Sequence, residues 1–83
     1  MVKENIGIVQ HYFPQINVAA VLITKGSLSI GDTIHIVGAH TDFSQKVESM
    51  QINKESVQTA HTNDEVGIKI NDRVRMQDIV YKD

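Results

Sequence analysis

Gly26-Ser27-Leu28-Ser29-Ile30-Gly31-Asp32 lies between two β-branched runs, and its reading decides the architecture. Before it stands the apolar run Val18 to Thr24; after it comes the alternating Thr33-Ile34-His35-Ile36-Val37. The stretch between them is a turn that reverses a strand. Gly31 can take a positive φ without a Cβ clash, and Asp32 can bond to backbone N–H groups just ahead. Leu28, alone among polar neighbours, is placed to cap one open end of a packed β structure.

Outward from this turn the chain reads as short strands. Ile6 to Phe13 is the first, with Ile6 and Ile8 facing one way and Gly7, Val9, His11 and Phe13 the other. Pro14, the only proline, ends it, having no N–H for a ladder. The second strand, Val18 to Thr24, is apolar on both faces: Val18, Ala20 and Leu22 on one, Ala19, Val21 and Ile23 on the other. A small barrel buries one face only, so the chain's own loops are expected to cover the other; the alternative is a contact surface. Thr33 to Val37 is the third strand, closed by Gly38. A long fourth strand from Phe43 to about Ile52 changes phase, since Phe43, Gln45 and Val47 share one parity and Met50 and Ile52 the other. A β-bulge near Glu48-Ser49 would restore one inward face.

Lys54 to His61 reads as irregular, with a short extended piece around Val57, and Asn63-Asp64 as a turn. Glu65 to Ile70 alternates, with Val66, Ile68 and Ile70 inward, and Asp78 to Lys82 is the last strand. No segment has the length and 3.6-residue period of a helix. The predicted fold is all-β: a single domain over 1–83, a six-stranded closed antiparallel barrel of the Greek-key type. Its core is Val9, Phe13, Val21, Ile23, Leu28, Ile34, Ile36, Val47, Val66, Ile68 and Val80. A barrel this narrow is filled by side chains, so no buried cofactor is expected and function belongs on the exterior.

Composition sets the bounds. The 83 residues are 41 % hydrophobic and 22 % charged, ordinary for one globular domain. There is no cysteine, which removes disulfides, thiolate chemistry and thiolate zinc sites. A formal charge of −2 argues against long-range attraction to phosphates while leaving room for a local basic patch. The apolar run Val18 to Ile23 is too short for a membrane-spanning helix. Met1-Val2-Lys3-Glu4-Asn5 leads directly into a strand pattern with no secretory signal, so the cytoplasm is the expected address.

Few motifs promise chemistry. Gly26-x-x-x-x-Gly31-Asp32-Thr33 approaches a P-loop, but Asp32 replaces the lysine and a strand follows where a helix is required; no nucleotide is expected. His11, His35, His40 and His61 include no helical ligand pair, and no metal is expected, although His11 and His35 could face one side of neighbouring strands. His40, Asp42 and Ser44 hold the residue types of a triad, but alternate positions of an extended chain lie about 6–7 Å apart and do not align a nucleophile with a base. Tyr12 and Phe13 place two of the four aromatics at a strand end. Phe13 is expected in the core and Tyr12 at the rim; an exposed ring there would hold a base or a partner's side chain. Lys69, Arg73 and Arg75 form the one cationic cluster. On a strand, Arg73 and Arg75 share a face and could clamp a phosphate or carboxylate, or pair with Asp72 or Asp78.

In order along the chain stand Ile6-Gly7-x-Val9, Gly26-x-Leu28-x-x-Gly31-Asp32, Ile34-x-Ile36, Val47-x-Ser49-Met50-Gln51, Val57-x-x-Ala60, Val66-Gly67-Ile68 and Asp78-x-Val80-Tyr81. This series resembles the second domain of the elongation factor Tu-like translational GTPases, a β-barrel. Two positions depart from that pattern: Asn63 stands where a glycine follows the Ala60 element, and Gln77 where a glycine precedes Asp78. His11-Tyr12-Phe13-Pro14, Thr41-Asp42-Phe43-x-Gln45 and Ser49-Met50-Gln51 look like short free-standing elongation-factor-like proteins and the C-terminal barrel of collagenase-like peptidases. The first resemblance implies a non-catalytic module engaging tRNA, the ribosome or a translation-related protein. The second implies a protein–protein module accessory to a separately encoded enzyme such as a collagenase-like peptidase. The candidate binding residues are Tyr12, Leu22, Lys69, Arg73 and Arg75.

Overall fold

The stretch after Gly26 does more than turn. In the computed structural model, which describes residues 4–82, Ser27–Ser29 forms a strand of its own, and Leu28 at its centre is fully buried. Gly26 and Gly31 flank it at φ 76° and 98°, conformations that a Cβ disfavours. The Asp32 carboxylate accepts from the Ser29 N–H at 2.8 Å, and the Lys82 ammonium lies 3.4 Å from the same oxygen. The Gly31 N–H donates to the Val47 carbonyl and the Val47 N–H to the Asp32 carbonyl, both at 2.8 Å. The turn is therefore tied to two distant parts of the chain.

Ten strands follow one another among the described residues: β1 (Glu4–Phe13), β2 (Val18–Ile23), β3 (Ser27–Ser29), β4 (Thr33–Gly38), β5 (Thr41–Lys46), β6 (Met50–Ile52), β7 (Glu55–Ser56), β8 (Thr59–His61), β9 (Glu65–Lys69) and β10 (Ile79–Lys82). All pair antiparallel, eight of them in the order β5-β4-β10-β1-β2-β9-β6-β7, while β3 pairs with β8. The described residues contain no helix, and so none long and apolar enough to cross a membrane.

Connectivity forces the larger sheet to roll. If it were flat, β5 and β6 would stand six strand spacings apart, roughly 29 Å. The chain joins them through residues 47–49 alone, a reach of about 14 Å. Rolling brings the ends together, but no backbone ladder joins β5 to β6 or β7. The predicted six-stranded closed barrel is corrected accordingly: the fold is all-β and antiparallel, with ten strands, and its larger sheet is not sealed by a ladder. The strand read as continuous from Phe43 to Ile52 breaks at Val47-Glu48-Ser49 and crosses from the end strand β5 to β6, next to the opposite end of the sheet. The stretch read as irregular, Lys54 to His61, contains β7 and β8, which are too short and polar to show alternation.

A side chain bridges part of the gap. The Gln45 carboxamide donates to the Lys69 carbonyl at 2.9 Å and accepts from the Asn71 N–H at 2.6 Å, reproducing what a strand's peptide group would offer. Gln45 is buried. Gln45→Leu is expected to destabilise the chain by about 2 kcal/mol, because it orphans a backbone donor and acceptor at once. In hydrogen exchange the Asn71 amide should lose its protection selectively.

The interior is solid. Every predicted core residue is buried except Phe13, which is 46 % exposed, and Ile6, Ala19, Met50, Ala60, Ile70 and Val74 join them. The correction at Phe13 has a local cause: the β1–β2 register shifts between Val9 and His11. That bulge inverts the alternation, turning Tyr12 toward the core and Phe13 outward. A second shift between Asn5 and Gly7 lets Ile6 and Val9 share the core although their parities differ. Asn63 and Gln77, the two non-glycine residues at the family's glycine positions, both adopt left-handed backbone, with φ of 76° and 73°.

Candidate binding cleft

Residues 70–78, between β9 and β10, form a loop rather than the strand expected around the arginines. Ile70, Val74 and Asp78 are buried, and Arg73 and Arg75 are exposed on either side of Val74. This inside–outside alternation puts both arginines on the outer side of the loop. The backbone beneath them is fixed at several points. Asp72 Oδ1 accepts from the Arg73 N–H at 2.7 Å, and Asp78 Oδ2 from the Arg75 N–H at 2.9 Å. The Gln77 N–H donates to the Val9 carbonyl at 2.7 Å, and Asn71 is held by Gln45. Gly38 is the floor on which Asp78 rests: a Cβ there would overlap the Asp78 carboxylate.

The ion pairs expected of Arg73 and Arg75 with Asp72 or Asp78 therefore take another form. Both carboxylates engage the arginines' backbone N–H groups, which compete for the same oxygens. Among the described residues neither guanidinium has an ion-pair partner. Both arginines line a cleft of about 220 Å³ together with His40, Thr41, Asp42, Phe43 and Asp72. The Asp42 carboxylate in this cleft is bonded to the His35 ring from β4. Asp42 thus partners His35 rather than His40, which leaves no triad in the sequence His40, Asp42, Ser44. Lys69 stands on β9, paired in register with Val18, and does not line the cleft, so the cationic cluster read from the sequence divides. His11 and His35 are on strands separated by β10, and no group of three or more His, Cys, Asp or Glu among the described residues could hold a metal ion.

The other two candidates lie elsewhere. Tyr12 is partly buried against the core. Leu22 is half-exposed on the outer face of β2, as are Val18 and Ala20, so the loops do not bury that face as expected. The register shows what surrounds Leu22. Val37, Ile79, Ile8 and Leu22 stand opposite one another on β4, β10, β1 and β2, a row of four half-buried aliphatics across the sheet. Sequence reading missed this row because the four residues come from distant strands; only cross-strand register assembles them. Beside it the small residues Ala20 and Gly67 floor a shallow depression of about 550 Å³, bordered by His11, Phe13, Gln51 and Glu65. Phe13 and Ile16 project from the β1–β2 hairpin, 46 % and 61 % exposed.

No family model matches the chain. It is 40 % identical over 80 residues to an uncharacterized protease of Methanocaldococcus jannaschii, a match covering 95 % of this chain and 19 % of that protein. It is 35 % identical over 72 residues to a collagenase of Porphyromonas gingivalis, covering 86 % and 20 %. The chain thus spans about a fifth of the length of these curated relatives. Among solved structures it superposes on the C-terminal domain of a Geobacillus thermoleovorans protein assigned to the U32 peptidases. There the TM-score is 0.89 and the identity 22 %, over 96 % of this chain and 92 % of that one. The selenomethionine form of the same domain gives 0.87 and 21 %, over 93 % and 96 %. These relatives support the resemblance to collagenase-like peptidases; none of them is a translational GTPase. The chain is similar to a limited segment of these proteases, and its fold is that of a U32 peptidase C-terminal domain.

Proposed function

We infer that the chain is a non-catalytic binding module, accessory to a peptidase of the collagenase or U32 kind. The observation that carries this reading is the shape of the match: nearly the whole chain corresponds to only a fifth of a protease, so the similarity concerns one separable unit. The solid interior agrees with it, since sixteen buried aliphatic and methionine side chains among the described residues fill the space inside the rolled sheet. The surface offered to the enzyme is the outer face of β4, β10, β1 and β2. Its aliphatic row is central, and Tyr81 and His35, opposite each other one step along the strands, extend it. Half-buried aliphatics flanked by polar residues are the composition of a protein contact. The reading as a tRNA- or ribosome-engaging module draws no support from the relatives, and it loses Lys69 from its basic patch.

Calorimetry tests this reading. The chain is titrated into the Porphyromonas gingivalis collagenase from which the matched segment has been deleted. Saturable binding that persists as salt is raised is expected, because apolar contacts are not screened. Leu22→Glu should weaken it by at least about tenfold, since a carboxylate would then be buried without a partner. A structured RNA in place of the enzyme should give no heat. Binding only to RNA, falling steeply with salt, would replace this function with the translational one.

A further inference from the structure

We propose that the cleft between β5 and the Arg73–Arg75 loop is a second binding site, one that takes an extended, acidic polypeptide segment as an added strand. The site borders the aliphatic row, since Asp42 stands opposite Val37 in register, but its arginines and strand edge do not depend on that row. β5 is the end strand of the larger sheet, paired with β4 alone. Gly38 and Thr41 face each other across the two-residue connection Ala39-His40, so they form the hydrogen-bonded pair that closes the hairpin. By alternation the peptide groups of Asp42 and Ser44 point away from β4. No backbone partner for them is found among the described residues. An edge with free peptide groups is a template for another strand.

The loop opposite supplies the selectivity. Arg73 and Arg75 are exposed on either side of the buried Val74, two residues apart, so their Cα atoms are at most about 7 Å from each other. Acidic residues at alternate positions of an extended ligand have the same spacing. Each guanidinium can therefore meet one carboxylate through paired N–H donors. The groups that would otherwise compete are already engaged: Asp42 with the His35 ring, Asp72 with the Arg73 N–H, Asp78 with the Arg75 N–H. Because Gln45, Asp72 and Asp78 hold the loop in place, little ordering remains to be done on binding. A nucleic acid fits less well. A phosphate backbone has no alternating N–H and C=O groups to pair with the free peptide groups of the β5 edge.

Peptide titrations on the full chain test the proposal, followed by fluorescence anisotropy and by amide shifts in two-dimensional NMR. The probe is a dye-labelled octapeptide, capped at both ends, with glutamate at alternate positions among valine and threonine. Controls carry glutamine for glutamate, or a central proline, and a single-stranded RNA octamer is run in parallel. The acidic peptide should bind and shift the Asp42 and Ser44 amides. The glutamine and proline peptides should each bind at least about tenfold more weakly. Arg73→Gln with Arg75→Gln should abolish the preference for glutamate. Both side chains are exposed, so an unchanged melting curve is expected, and the wild-type shifts report the site independently of any variant. The proposal is overturned if the acidic peptide does not bind, if the shifts fall elsewhere, if glutamine serves as well as glutamate, or if the RNA binds more tightly through the same arginines.

Discussion

Replacing Leu28 with alanine is expected to lower unfolding free energy by about 4 kcal/mol, read from the midpoint of a urea titration at constant m-value. Leu28 is fully buried, and it is the central residue of the two-stranded β3–β8 sheet, opposite Ala60. The residue across from it is an alanine, too small to fill the void, so the site belongs near the upper end for leucine-to-alanine losses. A domain of this size has roughly 4–12 kcal/mol of stability in total, so the variant would sit close to its melting point at moderate temperature. The flanking ties from Asp32 and Lys82 would remain, and Leu28→Met should recover most of the loss. A change below about 1 kcal/mol would mean that this residue does not plug the end of the structure.

The second large effect is at Gly38. Gly38→Ala should destabilise by about 3 kcal/mol, since the new methyl group would occupy the place of the Asp78 carboxylate. Displacing that carboxylate also breaks its bond to the Arg75 N–H, so the arginine loop should loosen with it. A double-mutant cycle distinguishes this cause from any intrinsic preference for glycine. In an Asp78→Ala background the whole carboxyl group is gone, and Gly38→Ala should then cost less than about 1 kcal/mol. Equal costs in both backgrounds would remove Asp78 from the explanation.

Much of this fold is legible in the chain because it follows local rules. Alternation identifies β4 and β9 and their inward residues, an unbroken apolar run identifies β2, and Gly31, Asn63 and Asp32 mark the turns where backbone φ or a short acceptor is needed. What escapes is non-local. The bulge after Val9 reverses the roles of Tyr12 and Phe13, and nothing in His11-Tyr12-Phe13 announces it, because a register shift is set by the partner strand. β7 and β8 are two and three residues long and are made by tertiary pairing, too short for a period to show. The Gln45 bridge is likewise invisible: a polar residue at an inward position reads as a misfit until Lys69 and Asn71 are seen to need it.

The candidate site was half legible. Arg73 and Arg75 do share a side, as their spacing requires, but their acidic neighbours serve the loop's backbone and so leave the guanidiniums available. Leu22 is on the outer face of β2, yet its neighbours Ile8, Ile79 and Val37 come from three other strands. Lys69, four residues before Arg73, is the last residue of β9 and does not line the arginines' cleft.

The accessory role is tested most directly by hydrolysis in a chimera. In the Porphyromonas gingivalis collagenase, this chain replaces the matched segment, and peptide-bond cleavage is measured beside the intact enzyme, the deleted enzyme and the isolated chain. An accessory module predicts that the chimera cleaves within about tenfold of the intact enzyme, that the deletion cleaves far less, and that the isolated chain does not cleave at all. Cleavage by the isolated chain, or a correctly folded chimera no more active than the deletion, would contradict it.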